Sequence, residues 1–576
     1  MVTTQHTFCR ILACCLLFVL LSLPALVKGQ TLPSNQQDAR EIQRQQERER
    51  ALRERMEERP DVRLERGADG FEYLPADDKP CFVINEIVLE GDSREKFEFA
   101  LSAASPSKDP AFGRCLGTQG INTIMKRVQN RIIESGFVTT RILAAPQDLS
   151  SGKLTLTVIP GRVREVRFSD NTPDRATKWN AIPIKSGDIL NLRDIEQALE
   201  NFKRLPTAEA DFQIVPAEGK GARPGESDII IEWKQGKPVR FNVSIDDSGS
   251  KYTGKYQGNA TISLDHVFLL NDLFYANYGH DLGGGIGKGK GTDSYALHYE
   301  IPYEYWLLSY TTSKYDYHQT IPGINENYIY AGTSHNHELK LSRLFYRDAV
   351  RKSTAWLSGW YRSSSNYIDD VQIELQERKM AGWEFGLNHK EFIGASTVDA
   401  SVSYKRGTGM MDSMKAPEEE WGEGTSHPEI TLASLFVNVP FTLFDQHLSY
   451  TGQFRGQWNH TPLVPQDRFS IGGRYTVRGF DGEMTIMGDR GWLVRNDLGI
   501  VLGNTRQELY LAWDYGEVDG QSTRYMKSKH LSGAAIGVRG GYDGFYWDVF
   551  ASVPLSKPDG METMDVAAGF TLGWSY

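Results

Sequence analysis

What this chain lacks narrows its class before any motif is read. Beyond the first few dozen residues no run approaches the ~20 apolar positions that a membrane-crossing helix needs, and mean hydropathy is −0.44. Positive charge is in deficit: 64 Lys and Arg against 74 Asp and Glu leave a net −10, which argues against a nucleic-acid partner. Cysteine is scarce, five in 576 residues. HExxH and GxSxG are absent, His335 and His337 have no third ligand nearby, and Asp246 and Asp247 begin a link rather than a carboxylate pair. No catalytic residue, metal site or cofactor is expected.

The N-terminus has a secretory pattern. Arg10 precedes an apolar stretch at 11–23, and Val27 and Gly29 suit a cut near Gln30, giving a signal peptide at 1–29. Leu12-Ala13-Cys14 is lipobox-like, but the apolar run continues past it. Loss of the signal removes Cys9, Cys14 and Cys15, and takes Arg10 and Lys28 from −10 to leave −12. Cys81 and Cys115 remain. In an oxidising compartment they read as a disulfide, worth roughly 3 kcal/mol for a loop of about 35 residues, or else as two free thiols. Two sulfurs alone make no zinc site.

Residues 36–59 are rich in Gln, Glu and Arg, with Glu49 and Arg53 spaced for an i,i+4 pair. The pattern is helical but has only Ile42, Leu52 and Met56 to bury, so it suits a solvated arm or a plug in a wet cavity. A linker covers 60–80. An α+β pattern then appears twice, at 81–160 and 161–236. The first unit reads as a strand at 82–90, a helix at 121–135 with Ile121, Ile124, Met125, Val128 and Ile132 on one face, and strands at 138–144 and 153–159. The second repeats this with a strand at 163–169, a helix at 192–205 and strands at 210–216 and 227–234.

From 237 to 576 a period of two takes over. Leu448, Tyr450, Phe454 and Trp458 alternate with polar residues, as do Tyr295, Leu297, Tyr299 and Ile301. Sixteen such runs are expected, an even number that fits a transmembrane β-barrel. Only a barrel could span a membrane with this composition, because every second side chain stays polar. With both barrel ends periplasmic, the long links 318–334, 408–427 and 459–489 fall outside. So does 283–291 (GGGIGKGKG), a near match to a phosphate loop whose closing Ser/Thr is replaced by Gly291 and which precedes a strand.

Four local features sharpen the picture. Val477-Arg478-Gly479-Phe480 lies in the link 459–489, Asp514-x-Gly516 on the thirteenth expected strand, and Phe570, Leu572, Trp574 and Tyr576 alternate to the end. Cys81 and Cys115 open the first α+β unit. Together with the overall order of parts, they make the chain resemble the TpsB transporters of two-partner secretion, which include hemolysin secretion/activation proteins and contact-dependent inhibition transporters. The resemblance covers the whole mature chain. It implies POTRA-like modules at 81–160 and 161–236, a plug helix at 30–59 and a barrel at 237–576. It implies that the Val477–Phe480 motif folds into the barrel with Arg478 bound to Asp514, although Ala512 replaces the usual larger hydrophobic residue. It also implies a disulfide in the first module and a C-terminal assembly signal at Phe570, Leu572, Trp574 and Tyr576. The expected function is a Gram-negative outer-membrane pore secreting a large TpsA-type exoprotein, with periplasmic N-terminal modules. Membrane lipid, lipopolysaccharide and the barrel-assembly machinery are the other expected partners. A barrel-assembly insertase and a diffusion porin are the rivals.

Overall fold

The computed structural model describes residues 35–57, 60–64, 70–219, 221–323, 325–503 and 505–576. The expected signal peptide at 1–29 lies outside them.

Among the described residues sixteen long antiparallel strands close into a barrel, from Val239–Asp246 to Ala567–Ser575, with a two-residue strand, Val371–Gln372, added at one hairpin. Alternation decides which way each side chain points. Tyr295, Leu297 and Trp513 are exposed on the outer face, whereas Ser294, Glu300 and Asp514 are buried inside. The expected link 318–334 is instead mostly strand. Trp306–Pro322 pairs with Asn327–Arg347 over seventeen residues, up to a tight turn. Tyr315, Tyr317, Ile321 and Tyr330 form a buried cluster there, so the hairpin continues the inward pattern above the expected boundary. The last strand begins at Ala567, four residues after the expected start, and Met564 and Val566 precede it.

Two α+β modules stand before the barrel. The N-terminal helix α1, Asn35–Met56, precedes both modules, and helix α2 of the first module is Thr118–Glu134. Ile124, Val128 and Ile132 of α2 are fully buried, with Ile121 and Met125 packed at the margin against Leu154, Leu156 and Val158. The expected strand at 82–90 breaks into Phe82–Ile84 and Glu86–Gly91, because the first piece pairs with Arg114–Leu116 and the second with Lys153–Ile159. The strand expected at 138–144 shortens to Arg141–Leu143. Cys81 and Cys115 are joined by a disulfide spanning 34 positions. The second module packs α3, Leu192–Lys203, on a sheet ordered Arg162–Phe168, Glu226–Gln235, Ala208–Pro216. Asn191 caps α3 by accepting from the Arg193 amide at 2.9 Å.

Asp109 organises the first module. It accepts from the Leu74 amide at 2.7 Å, from Arg114 at 2.7 Å and from buried Arg127. Burial raises its pKa, but the Leu74 amide, Arg127 and Arg114 outweigh it and hold the carboxyl below its usual range. Its contribution is therefore present above the ordinary aspartate range near pH ~4 and is lost as pH falls through the depressed value. Asp109→Ala strands a buried guanidinium at a cost of about 3 kcal/mol. Limited proteolysis of the first module in urea should show cleavage at lower denaturant for the variant. Acidification below pH ~4 should bring the wild type towards it.

Candidate functional site: the occupied lumen

Helix α1 lies inside the barrel, running from the outer end towards the modules. It spans ~33 Å at 1.5 Å per residue, about the thickness of a bilayer core. Near its start, Tyr317 Oη donates to Asp38 at 2.6 Å. Ser313 Oγ donates to Glu49 at 3.1 Å, and Arg455 grips Glu47 through both terminal nitrogens at 2.6 and 2.8 Å. Arg53 pairs with Glu338 of the wall at 2.9 Å rather than serving only its own helix. Asp38, Glu41, Gln43, Gln45 and Glu49 are thus buried polar residues, while apolar burial is limited to Ala39 and Ile42. A helix with no apolar face could not enter an ordinary core. Here the surrounding wall is itself polar, and a cavity of about 680 Å³ remains between helix, loop and wall.

The link between Gln446–Asn459 and Arg490–Val501 also folds inward. Its own small hairpin, Phe469–Ile471 with Ile486–Gly488, presents the Val477–Phe480 motif to the wall. Arg478 Nε donates to Asp514 Oδ2 at 2.7 Å and Nη2 to Oδ1 at 2.7 Å, a two-pronged contact. The Arg478 amide adds a third bond to Asp514 at 2.9 Å, and Nη2 also reaches Asp497 at 2.5 Å. Arg478 is 4% exposed and Asp514 0%. Close approach depends on missing side chains. A Cβ on Gly516 would stand 2.9 Å from Val477 Cγ2, and one on Gly533 only 1.8 Å from the Arg478 carbonyl oxygen. Gly479 has φ +109°, a value that disfavours other residues. Beside the ion pair, Val477 and Phe480 join Phe469, Ile471, Leu493, Val518, Leu531 and Met561 in an apolar cluster.

Several residues of this site carry no local sequence mark. Asp497 and Gly533 belong to neighbouring strands, and their inward alternation was the only available cue. Asp247, at the start of a link, binds Arg474 of the folded-in loop at 2.8 Å and the Phe570 amide at 2.9 Å. It thus ties the loop to the seam where the first and last strands meet. Helix and loop also touch: Gln43 donates to the Pro465 and Arg468 carbonyls, and Arg44 to that of Gly482.

A third assembly closes the module end. Arg347, at the base of the barrel, donates to Glu196 at 3.0 Å and to Glu200 at 2.9 Å, both on α3, and to the Val62 carbonyl at 2.6 Å. Glu200 and Glu196 accept from the Val62 and Leu64 amides in turn. Asp61 pairs with Lys352 at 2.7 Å and Lys390 at 2.5 Å, both on barrel strands. The chain leaving α1 is therefore clasped by the second module and the barrel together. Tyr305 with Asp194, and Arg204 with Glu300, extend the same junction.

Two substitutions probe these contacts. Asp514→Ala leaves Arg478 buried without its main partner, at a cost of about 3–5 kcal/mol. Its heat-induced shift in electrophoretic mobility should come at a lower temperature than that of the wild type. Arg347→Ala should leave the barrel as heat-resistant as before but expose 60–64 to protease and raise the frequency of open events in planar bilayers. An unchanged cleavage pattern and unchanged conductance would count against the clasp.

Comparison with known proteins follows the same division. The family model described as haemolysin secretion/activation protein ShlB/FhaC/HecB matches residues 225–540. A ShlB-type POTRA domain matches 82–161, and a POTRA domain matches 162–216. Outer membrane transporter CdiB-2 of Burkholderia pseudomallei (strain 1026b) is 35% identical over 552 residues, 92% of each chain. Among solved structures, CdiB from Acinetobacter baumannii aligns with a TM-score of 0.81 at 30% identity, over 95% of this chain and 100% of that one. CdiB from Escherichia coli aligns at 0.79 and 25%, with the same coverage. The modules, the barrel and the matches over nearly its whole length place this chain in the haemolysin secretion/activation protein ShlB/FhaC/HecB family.

Proposed function

We propose that this chain is an outer-membrane pore that takes an unfolded exoprotein of TpsA type from the periplasm to the cell surface. The observation that carries this reading is the difference between the two occupants of the lumen. Helix α1 is held almost entirely by hydrogen bonds and ion pairs, which water can replace once the helix leaves, and buries only Ala39 and Ile42 as apolar side chains. The Arg478 loop is held by a buried ion pair and an apolar cluster, in which each fully buried side chain is worth roughly 1.5–3 kcal/mol. The helix is the part suited to leave and the loop the part suited to stay. Removing the helix leaves a polar channel that can pass an extended chain.

The modules supply the receiving end. The edges Glu86–Gly91 and Ala208–Pro216 have no further strand partner among the described residues, so each can add a client strand by backbone hydrogen bonding. Phe82, Val83 and Phe112 are exposed on the first module and offer apolar contact. No ATP is required in this scheme, because folding at the surface biases direction. The alternating Phe570, Leu572, Trp574 and Tyr576 serve insertion by the barrel-assembly machinery. No catalytic role is proposed.

Cysteines at Glu49 and Ser313, joined by a short thiol crosslinker, test the helix release. The uncrosslinked variant should deliver the client to the medium and the crosslinked one should retain it. Undiminished secretion after crosslinking would rule out helix exit. In a strain lacking the chain, other barrels should insert normally, unlike the outcome for an insertase. Deleting 81–234 should abolish export, whereas a porin would still conduct its solute.

A further inference from the structure

Helix α1 and the barrel wall exchange charges along their contact, and one wall cation stands apart. Arg539 pairs with Glu508 at 2.7 Å and with Asp497 at 3.0 Å, all three on strands of the wall. Arg362 pairs with Asp467 of the folded-in loop at 2.9 Å, and Lys405 lies 3.9 Å from the same carboxylate. Arg455 differs. Among the described residues its one ion pair within 4.0 Å is with Glu47 of α1. A second carboxylate acting on it, Glu54, is on the same helix. The converse pair is not equivalent: Glu338 loses Arg53 when the helix leaves but keeps the positive charges of Lys340 and Lys405. Helix exit therefore leaves the wall with a cation short of a carboxylate.

A second guanidinium stands beside it. Arg455 and Arg495 lie on neighbouring strands, Gln446–Asn459 and Arg490–Val501, where Arg455 is opposite Leu493 and Arg495 opposite Gln453. They are diagonal neighbours of like parity on the lumen face. Both act on Glu47, along with Arg50 of its own helix. Arg495 donates to the Tyr475 carbonyl at 3.2 Å, and the Asp514 oxygen 3.9 Å from it is already held by Arg478.

Glu47 shows what this place accepts. Its two oxygens accept from Arg455 Nη2 at 2.6 Å and Nη1 at 2.8 Å, a fork that fits a carboxylate. A carboxylate arriving on another chain can fill the same position. A client that fills the lumen displaces water as well as the helix, and a guanidinium left there without an anion is costly.

We propose that Arg455, with Arg495 beside it, is a carboxylate-binding site of the open channel, and that an acidic side chain of the extended client replaces Glu47 there as helix α1 leaves. This rests on the transport reading above. Its test reads current through purified protein, so it can fail while secretion stands, whereas the crosslink between positions 49 and 313 tests that reading by itself.

The full chain carrying Tyr317→Phe and Ser313→Ala, which remove the hydroxyl donors to Asp38 and Glu49 and leave Arg455 and Arg495 in place, is reconstituted in planar bilayers. Deca-glutamate, an uncharged glycine–serine decamer and free glutamate at equal carboxylate concentration are added in turn, and block of the open current is extrapolated to zero voltage. Deca-glutamate should block at an at least about tenfold lower concentration than the uncharged decamer, the scale of a hydrogen bond to a charged group. It should also raise the frequency of opening, because it competes with Glu47 for Arg455. R455Q should open more often, as loss of any helix clamp would cause, but it should also lose most of the preference for deca-glutamate, which a mere clamp would not. R455K should keep that preference. Should R455Q fail the heat-shift check for a closed barrel, R495Q is read instead, with a loss of preference expected. Equal block by the two decamers would overturn the proposal, as would an unchanged preference in R455Q. So would block by free glutamate as effective as by the decamer, or a channel that deca-glutamate neither opens nor blocks.

Discussion

A bilayer core offers the backbone no water, so every peptide group crossing it must find a partner within the protein. In this chain that requirement is met only when the last strand returns to the first. Thr571–Ser575 pairs with Asn242–Asp246 over five residues, and Phe241 and Tyr576 exchange backbone hydrogen bonds just beyond. Closure has a second consequence. Once strands form a cylinder, alternation sends half of their side chains inward, where they are neither in lipid nor in a dry core. The interior is therefore polar, and whatever occupies it must satisfy charge and hydrogen bonding rather than supply apolar surface.

The two occupants answer that demand differently. The loop carrying Arg478 brings its own apolar patch and packs it where Leu493, Val518 and Leu531 line the wall, with Asp514 below. Its position is over-determined, since a buried carboxylate, a neighbouring Asp497 and two side-chain-free strand positions all accept it. Helix α1 brings almost nothing apolar and is held by polar contacts along its length. Apolar packing thus accompanies the loop and is nearly absent from the helix.

The junction around Arg347 relates the helix to the second module. Glu196 and Glu200 of α3 share their oxygens between a barrel guanidinium and the backbone of the segment leaving α1. A buried cation contacting three parts of the molecule cannot lose one partner without leaving charge unpaired, which is expensive away from water. Movement of the second module relative to the barrel would therefore disturb the segment that tethers the helix. This connection runs through contiguous contacts and needs no long-range strain.

Much of this architecture could be read from local pattern. Alternation in runs such as Tyr295–Ile301, the repeated α+β order and the Val477–Phe480 motif are short-range properties, because the direction of a side chain on a strand depends only on its parity. That is why the barrel, its strand number and the paired modules were legible. The hairpin Trp306–Arg347 runs through the expected link 318–334, where Ile321 and Tyr330 face inward, since residues of these types suit a link as well as a lumen. What the chain alone could not decide was partnership. Whether 36–59 floats or fills a pore depends on a wall assembled from residues hundreds of positions away. The contacts of Asp497, Asp247, Gly533 and Arg347 exist only after closure. Charge and parity are written locally, but which charges meet is set by the circumference of the closed cylinder, and that is a property of the tertiary structure.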